Sequence, residues 1–99
     1  MTINVERDFE LVTLEITGRL DTTTAPNLEA VIKELSGDTK ELVFDMSELE
    51  YISSAGIRVL IGAYKKMHLN QGIMRIEKVN DTVSEVFEMT GLSGMLEQE

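Results

Sequence analysis

An unbroken apolar run followed by a long helical pattern is the feature that most constrains this fold. The run covers residues 41–46 and only Asp45 interrupts it. Because it lacks polar alternation, it predicts a strand that is covered on both faces, as in parallel sheets. From about residue 55 to residue 70 the pattern is helical, with apolar side chains almost all round at its start and an amphipathic pattern later. The sequence therefore predicts a buried strand, a short loop and a largely buried helix.

The chain before this unit predicts an antiparallel hairpin. Residues 3–7 and 9–17 carry apolar side chains with period two, which is typical of strands. Asp8 lies between the two runs and allows a tight turn. The segment Gly18-Arg19-Leu20-Asp21 is expected to leave the sheet.

Helical spacing predicts a first helix that contains Ala25, Leu28, Val31, Ile32 and Leu35. The run Thr22-Thr23-Thr24 offers candidate N-caps, and Gly37 is the expected C-terminal stop. Gly72 is expected to end the second helix, and residues 73–78 predict a further strand.

A last helix is expected after Asn80, which is a preferred N-cap residue. Gly91 is its expected end, and its apolar stripe comprises Val83, Val86, Phe87 and Met89. The predicted order is β-β-α-β-α-β-α. Strand–helix–strand units imply parallel pairing with right-handed crossovers, so the sheet is expected to be mixed.

Composition limits the classes of function. Ninety-nine residues predict a single domain, residues 1–99. Eighteen acidic and nine basic residues give a net charge of −9, which repels nucleic acid. The chain has no cysteine and only one histidine, His68, so we expect neither a metal site nor a cofactor. We expect no contact with a membrane and a cytoplasmic location, because no apolar run is long enough to span a bilayer and residues 1–7 do not resemble a signal peptide.

Two serines precede the second helix. Ser54 is the expected N-cap, and the capping preference of serine would by itself explain its presence. The positive end of the helix dipole would also favour a phosphate on this hydroxyl. Gly56, in the first turn, is a poor helix former, which indicates that another molecule's backbone approaches there.

The segment that carries these serines resembles the signature of the STAS domains, in particular the stand-alone anti-sigma factor antagonists. The matching residues are Asp45, Ser47, Leu49, Tyr51, Ile52, Ser53, Ser54, Ala55, Gly56 and Ile57. The resemblance extends to Gly18-Arg19-Leu20-Asp21 and to Met89-Thr90-Gly91-Leu92. It implies an α/β STAS fold: a mixed, mostly parallel sheet with an antiparallel N-terminal hairpin and helices packed mainly on one side.

The resemblance also implies a site. The family's phosphoacceptor lies two residues before the signature glycine, which maps it onto Ser54, with Ser53 as second choice. Asp21 would lie near this loop, either as a partner contact or as a turn residue. The expected partner-binding residues are Asp21, Ser53, Ser54, Ala55, Gly56, Ile57 and Arg58.

The implied function is partner switching without catalysis. Unphosphorylated, such a protein binds an anti-sigma factor that is also a serine kinase; phosphorylated at Ser54, it is released, and a PP2C-type phosphatase resets it. The alternative is a non-phosphorylated STAS module of a transporter or a signalling scaffold. An enzyme with Ser54 as nucleophile is disfavoured, because His68, the one histidine, would lie about 20 Å away along the helix.

Overall fold

Five strands and three helices follow one another in residues 1–90, the part of the chain that this computed structural model describes. They are β1 (Thr2–Asp8), β2 (Leu11–Leu20), α1 (Ala25–Lys33), β3 (Glu41–Asp45), β4 (Leu49–Ile52), α2 (Ser54–Leu69), β5 (Ile73–Glu77) and α3 (Asp81–Met89). The sheet has the order β1-β2-β3-β5, and β4 pairs with β2. The β1–β2 pair is antiparallel and the other pairs are parallel. The expected fold class is confirmed.

One face of the sheet carries the core. Val12 is paired with Leu42, and Leu42 with Met74, so these three apolar side chains share a face. The buried residues of all three helices belong to the same apolar cluster, which places the helices on that face. Val43 points to the opposite face and is also buried. The unbroken run at 41–46 is therefore covered on both sides, as expected.

Strand β2 is longer than expected, and the prediction that residues 18–21 leave the sheet is wrong. Gly18 adopts a positive φ of 96°, and the register shifts between Gly18 and Arg19. Glycine reaches this backbone region without strain. The shift lets β2 pair with β3 in its first half and with β4 in its last residues.

Strand β4, which the sequence pattern did not reveal, fills most of the segment that was expected to be a loop. Its buried ends, Leu49 and Ile52, enclose the exposed Glu50 and the half-buried Tyr51. Four residues are too few to show a clear period, and their pairing partner lies beyond the shift in β2. The observed order is therefore β-β-α-β-β-α-β-α.

The glycines do not end the first two helices, contrary to expectation. Helix α1 ends at Lys33, and the ammonium of Lys66 on α2 binds the carbonyls of Ile32 and Lys33 at 2.9 and 3.1 Å. Gly37 lies in the turn beyond. Helix α2 ends at Leu69, and its left-handed residue is Gln71, with φ of 60°.

Asn80 has the expected capping role and one more. Its Oδ1 accepts a hydrogen bond from Val83 N at 2.8 Å, and its Nδ2 donates one to the Leu49 carbonyl at 2.8 Å. Asn80 thus joins α3 to β4. Val83 and Phe87 are buried as expected, but Met89 is 85% exposed, so it does not belong to the apolar stripe. The expected stop at Gly91 lies outside the described residues.

Within residues 1–90, no helix combines the length and the apolar composition that crossing a membrane requires.

Candidate functional site

Two loops leave neighbouring parallel strands at the same edge of the sheet. The Asp21 loop, residues 21–24, follows β2, and the Ser54 loop, residues 53–56, comprises the residue after β4 and the first turn of α2. Leu20 pairs with Ile52 in the last register position. The Ser53 N–H then donates to the Leu20 carbonyl at 2.9 Å, which ties the second loop to the end of β2. The structure therefore brings together the two sequence motifs from which the site was predicted.

The N-cap of α2 is Ser53, so the assignment of Ser54 as N-cap is wrong. The Ser53 hydroxyl accepts a hydrogen bond from Gly56 N at 3.4 Å, while Ser53 itself has extended backbone angles. Both serines suit the position, and the hydrogen bond from Ser53 N to Leu20 O decides between them. Ser54 becomes the first helical residue.

The Ser54 side chain is exposed, and its hydroxyl makes no hydrogen bond within residues 1–90. It lies at the start of a 16-residue helix, where the first N–H groups have no intrahelical acceptor. A negative group at such a position is stabilised by the helix dipole. Arg58 lies one helical turn further on, is exposed, and makes no ion pair within residues 1–90. In the described part of the chain, an accessible hydroxyl therefore lies near a cation that has no ion pair.

Gly56 faces the inside of the protein, so the expectation that another molecule's backbone approaches it is wrong. A Cβ on Gly56 would lie 2.7 Å from Leu20 Cγ and 2.8 Å from Ile52 Cγ1. The glycine therefore allows α2 to pack closely on the ends of β2 and β4. Ile57 is also buried, at 4% exposure. Of the seven residues expected to contact a partner, those with accessible surface are Asp21, Ser53, Ser54, Ala55 and Arg58.

The Asp21 loop is held by its own hydrogen bonds. The Asp21 carboxylate accepts from the Thr23 hydroxyl at 2.8 Å and from the N–H groups of Thr23 and Thr24 at 3.0 and 3.2 Å. Led by the bond from the Thr23 hydroxyl, these contacts lower the pKa of Asp21. Arg19 approaches the same carboxylate at 3.8 Å and stacks over the Tyr51 ring at 4.3 Å.

Thr24 has a role that sequence reasoning missed. It occupies the N-cap position of α1, but its hydroxyl makes no cap hydrogen bond to the helix. The hydroxyl instead donates to the Arg19 carbonyl and accepts from Asp21 N, both at 2.8 Å. The threonine run was interpreted as a set of candidate caps, and nothing in its composition distinguishes a cap from this bridge. Asp21 and Thr24 together fix the path of the chain out of β2.

Asp45, the first residue of the signature, has a structural role in the turn after β3. Its Oδ1 accepts from Ser47 N at 3.0 Å, and its Oδ2 lies 3.5 Å from the Lys78 ammonium. Burial acts to raise the pKa of Asp45, but the hydrogen bonds from Ser47 and the charge of Lys78 outweigh it, so the pKa is lowered. Asp45 thereby shapes the turn into β4. Residues 1–90 contain no group of three or more histidine, aspartate or glutamate side chains arranged to hold a metal ion.

A family model of the STAS domain matches residues 2–98. The chain belongs to the STAS family. This confirms the resemblance inferred from the segment 45–57.

Relatives of this STAS protein match nearly all of it, and solved structures among them share its fold. The anti-sigma-B factor antagonist of Listeria monocytogenes is 30% identical over 95 residues, which cover 93% of this chain and 82% of that protein. An anti-sigma factor antagonist from Mycobacterium paratuberculosis superposes with a TM-score of 0.82 at 27% identity, covering 96% and 81% of the two chains. The Bacillus protein SpoIIAA in its phosphorylated form gives a TM-score of 0.79 over 99% and 91%; at 19% identity this shows the shared fold alone.

Proposed function

We propose that this STAS protein is an anti-sigma factor antagonist controlled by phosphorylation of Ser54. Unphosphorylated, it binds an anti-sigma factor that is also a serine kinase, and the anti-sigma factor releases its sigma factor. The observation that carries the proposal is the exposed Ser54 hydroxyl, free of hydrogen bonds within residues 1–90, at the first position of α2. The Listeria relative, named an anti-sigma-B factor antagonist, supports the role.

The proposed reaction is transfer of the ATP γ-phosphate by the kinase. The Ser54 Oγ attacks the γ-phosphorus, the bond to the bridging oxygen of ADP breaks, ADP leaves, and the hydroxyl proton goes to a base of the kinase. This chain contributes only the acceptor. His68 lies near the far end of α2, about 20 Å along the helix axis, so it does not reach Ser54 as a base.

Ser54 is a better acceptor than Ser53 for a structural reason. The Ser53 hydroxyl is half-buried and bound to Gly56 N, so its modification would remove the cap of α2. A phosphate on Ser54 adds about −1.5 to −2 charges and leaves that cap in place. The helix dipole and Arg58 both favour the added charge. We therefore expect phosphorylation to change the surface and to leave the fold intact.

The phosphate would act at the interface. A buried, poorly paired charge costs about 3–5 kcal/mol. Since each 1.4 kcal/mol is about tenfold in a dissociation constant, this is enough to release the anti-sigma factor. A PP2C-type phosphatase would hydrolyse the phosphoserine and restore binding. SpoIIAA, a neighbour in fold, has been solved in an unphosphorylated and in a phosphorylated form, which supports the proposal that this chain also exists in both.

The test uses the purified protein, an anti-sigma factor kinase from the same genome, and magnesium ATP. Intact-mass spectrometry should show one added phosphoryl group on the wild type and on Ser53→Ala, but none on Ser54→Ala. Calorimetry should show binding of the unmodified protein and loss of binding after phosphorylation.

Labelling of Ser54→Ala with loss of labelling in Ser53→Ala would move the acceptor to Ser53. An unlabelled wild type that still binds an active kinase would favour the non-phosphorylated interaction module.

A further inference from the structure

A cleft of about 220 Å³ separates α1 from α2 on the outer side of the helical layer. Its floor is apolar and is formed by Ile32 of α1 together with Val59, Gly62 and Ala63 of α2. Ile32 and Ala63 are part of the core, so the cleft reaches down to the buried layer. An apolar side chain that entered it would lose contact with water on most sides.

Gly62 opens this cleft, and the packing of the chain does not require it. Three glycines lie in or just after α2. A Cβ on Gly56 would meet Leu20, and a Cβ on Gly72 would lie 2.5 Å from the Lys40 carbonyl, so internal packing explains both. A Cβ on Gly62 would meet nothing within 4 Å. Glycine inside a helix is less favourable than alanine. An exposed glycine of this kind suits a site where another molecule approaches closely.

The rim of the cleft is basic, although the whole chain carries a net charge of −9. Its lining contains three basic residues, Lys33, Arg58 and Lys66, and one acidic residue, Glu29. Lys33 lies 4.0 Å from Glu29, and Lys66 donates hydrogen bonds to carbonyls at the end of α1. Arg58 is the rim cation whose side chain makes neither an ion pair nor a hydrogen bond within residues 1–90. Carboxylates are the groups that such a rim attracts.

The cleft is continuous with the proposed phosphoacceptor. Ser54, Arg58 and Gly62 follow one another at intervals of four residues along α2, and all three are exposed. Residues four apart lie on one face of a helix. A molecule seated in the cleft over Gly62 therefore extends past Arg58 toward Ser54.

We infer that the α1–α2 cleft receives a helix of the anti-sigma factor, with an apolar stripe against Gly62 and a carboxylate against Arg58. This inference rests on the proposed function and names the surface through which it acts. A helix suits the cleft because its floor lies between two helices, and an amphipathic helix buries one apolar stripe in such a groove. A phosphate on Ser54 then has a second effect beyond repulsion: it competes with the partner's carboxylate for Arg58.

The test compares two leucine substitutions on α2. Gly62→Leu places a side chain at the cleft, and its Cβ would meet no other atom within 4 Å. Lys65→Leu places the same side chain on an exposed position outside the cleft lining. With the purified kinase of the previous test, Gly62→Leu should raise the calorimetric Kd roughly tenfold or more, whereas Lys65→Leu should change it less than about threefold.

Gly62→Ala should raise the midpoint of thermal unfolding and still weaken binding, a combination that a purely structural glycine would not give. Arg58→Glu should weaken binding without filling the cleft.

Each result supports or overturns the inference. If the wild type binds and both leucine variants bind equally well, or lose affinity equally, the cleft is not the docking surface, while the proposed function stands. If Gly62→Leu abolishes self-association and spares kinase binding, a second copy occupies the cleft and the inference fails. Should Gly62→Leu not fold, unchanged affinity in Arg58→Glu and Gly62→Ala would overturn it. If the wild type binds no kinase, the proposed function itself fails.

Discussion

The Asp21 loop and the Ser54 loop lie side by side, yet they use their polar side chains in opposite ways. In the Asp21 loop, one carboxylate and one threonine hydroxyl bind N–H, hydroxyl and carbonyl groups of the loop and of the strand before it. In the Ser54 loop, the Ser53 hydroxyl makes one long hydrogen bond and the Ser54 hydroxyl makes none within residues 1–90. A loop whose polar groups bind one another holds its own conformation. An exposed hydroxyl beside such a loop stays accessible to a modifying enzyme. The contrast indicates a structural role for the first loop and supports the proposed phosphorylation in the second.

The largest loss of stability should come from substitution of Gly56, which packs against the strand ends that precede both loops. Gly56→Val puts side-chain atoms into Leu20 at the end of β2 and into Ile52 at the end of β4. Overpacking of this kind lowers the free energy of unfolding by about 1–3 kcal/mol. Urea denaturation measures it, with Gly62→Ala as the matched control, since that helix glycine has open space and its replacement should raise stability by up to about 1 kcal/mol. A neutral Gly56→Val would show that α2 does not pack as closely on the two strands as described.

A smaller effect on the free energy of unfolding should distinguish Ser53 from Ser54. Ser53→Ala removes the N-cap of α2 and should lower the free energy of unfolding by about 0.5–1 kcal/mol, at the low end of the range for caps because the bond is long. Ser54→Ala should change stability by less than about 0.5 kcal/mol, as is usual for exposed positions. Urea denaturation of both variants, set beside their labelling by the kinase, gives the comparison. Equal losses of stability would contradict the distinction between cap and acceptor.

The smallest effect should be a change in acid sensitivity. The pKa of Asp21 is lowered in the folded protein, so its ionised form adds stability above the ordinary value of 3.8, and this contribution is lost as the pH falls below that value. Asp21→Asn should therefore be slightly less stable than the wild type at neutral pH, and the two should converge in acid. Unfolding curves at neutral pH and well below pH 3.8 test this. A difference that does not shrink in acid would show that the ionised carboxylate does not hold the loop.

The elements with strong local patterns were predictable from sequence. The hairpin shows period two and the helices show apolar spacing, and these patterns arise from burial on one side of each element. Strand β4 was not predictable, because four residues with Glu50 in the middle carry almost no periodic signal. Its existence depends on the register shift at Gly18, which is a property of the assembled sheet.

The sequence identified candidate residues for the site, but their arrangement was not predictable from it. The signature located the serine pair, but the choice of cap between Ser53 and Ser54 depends on a hydrogen bond to β2, a distant strand. The composition of the first turn indicated that something approaches Gly56 closely. It could not show whether the neighbour was another molecule or Leu20 of the same chain.

Asn80 gives the Ser54 loop a dependence on the C-terminal helix. Strand β4 has β2 as its only strand partner in the described part of the chain, and the Asn80 amide holds the carbonyl of its first residue, Leu49. The same side chain caps α3. The serine pair at the end of β4 is thus anchored from far downstream in the chain, and a graft of the signature segment alone would omit both β2 and Asn80.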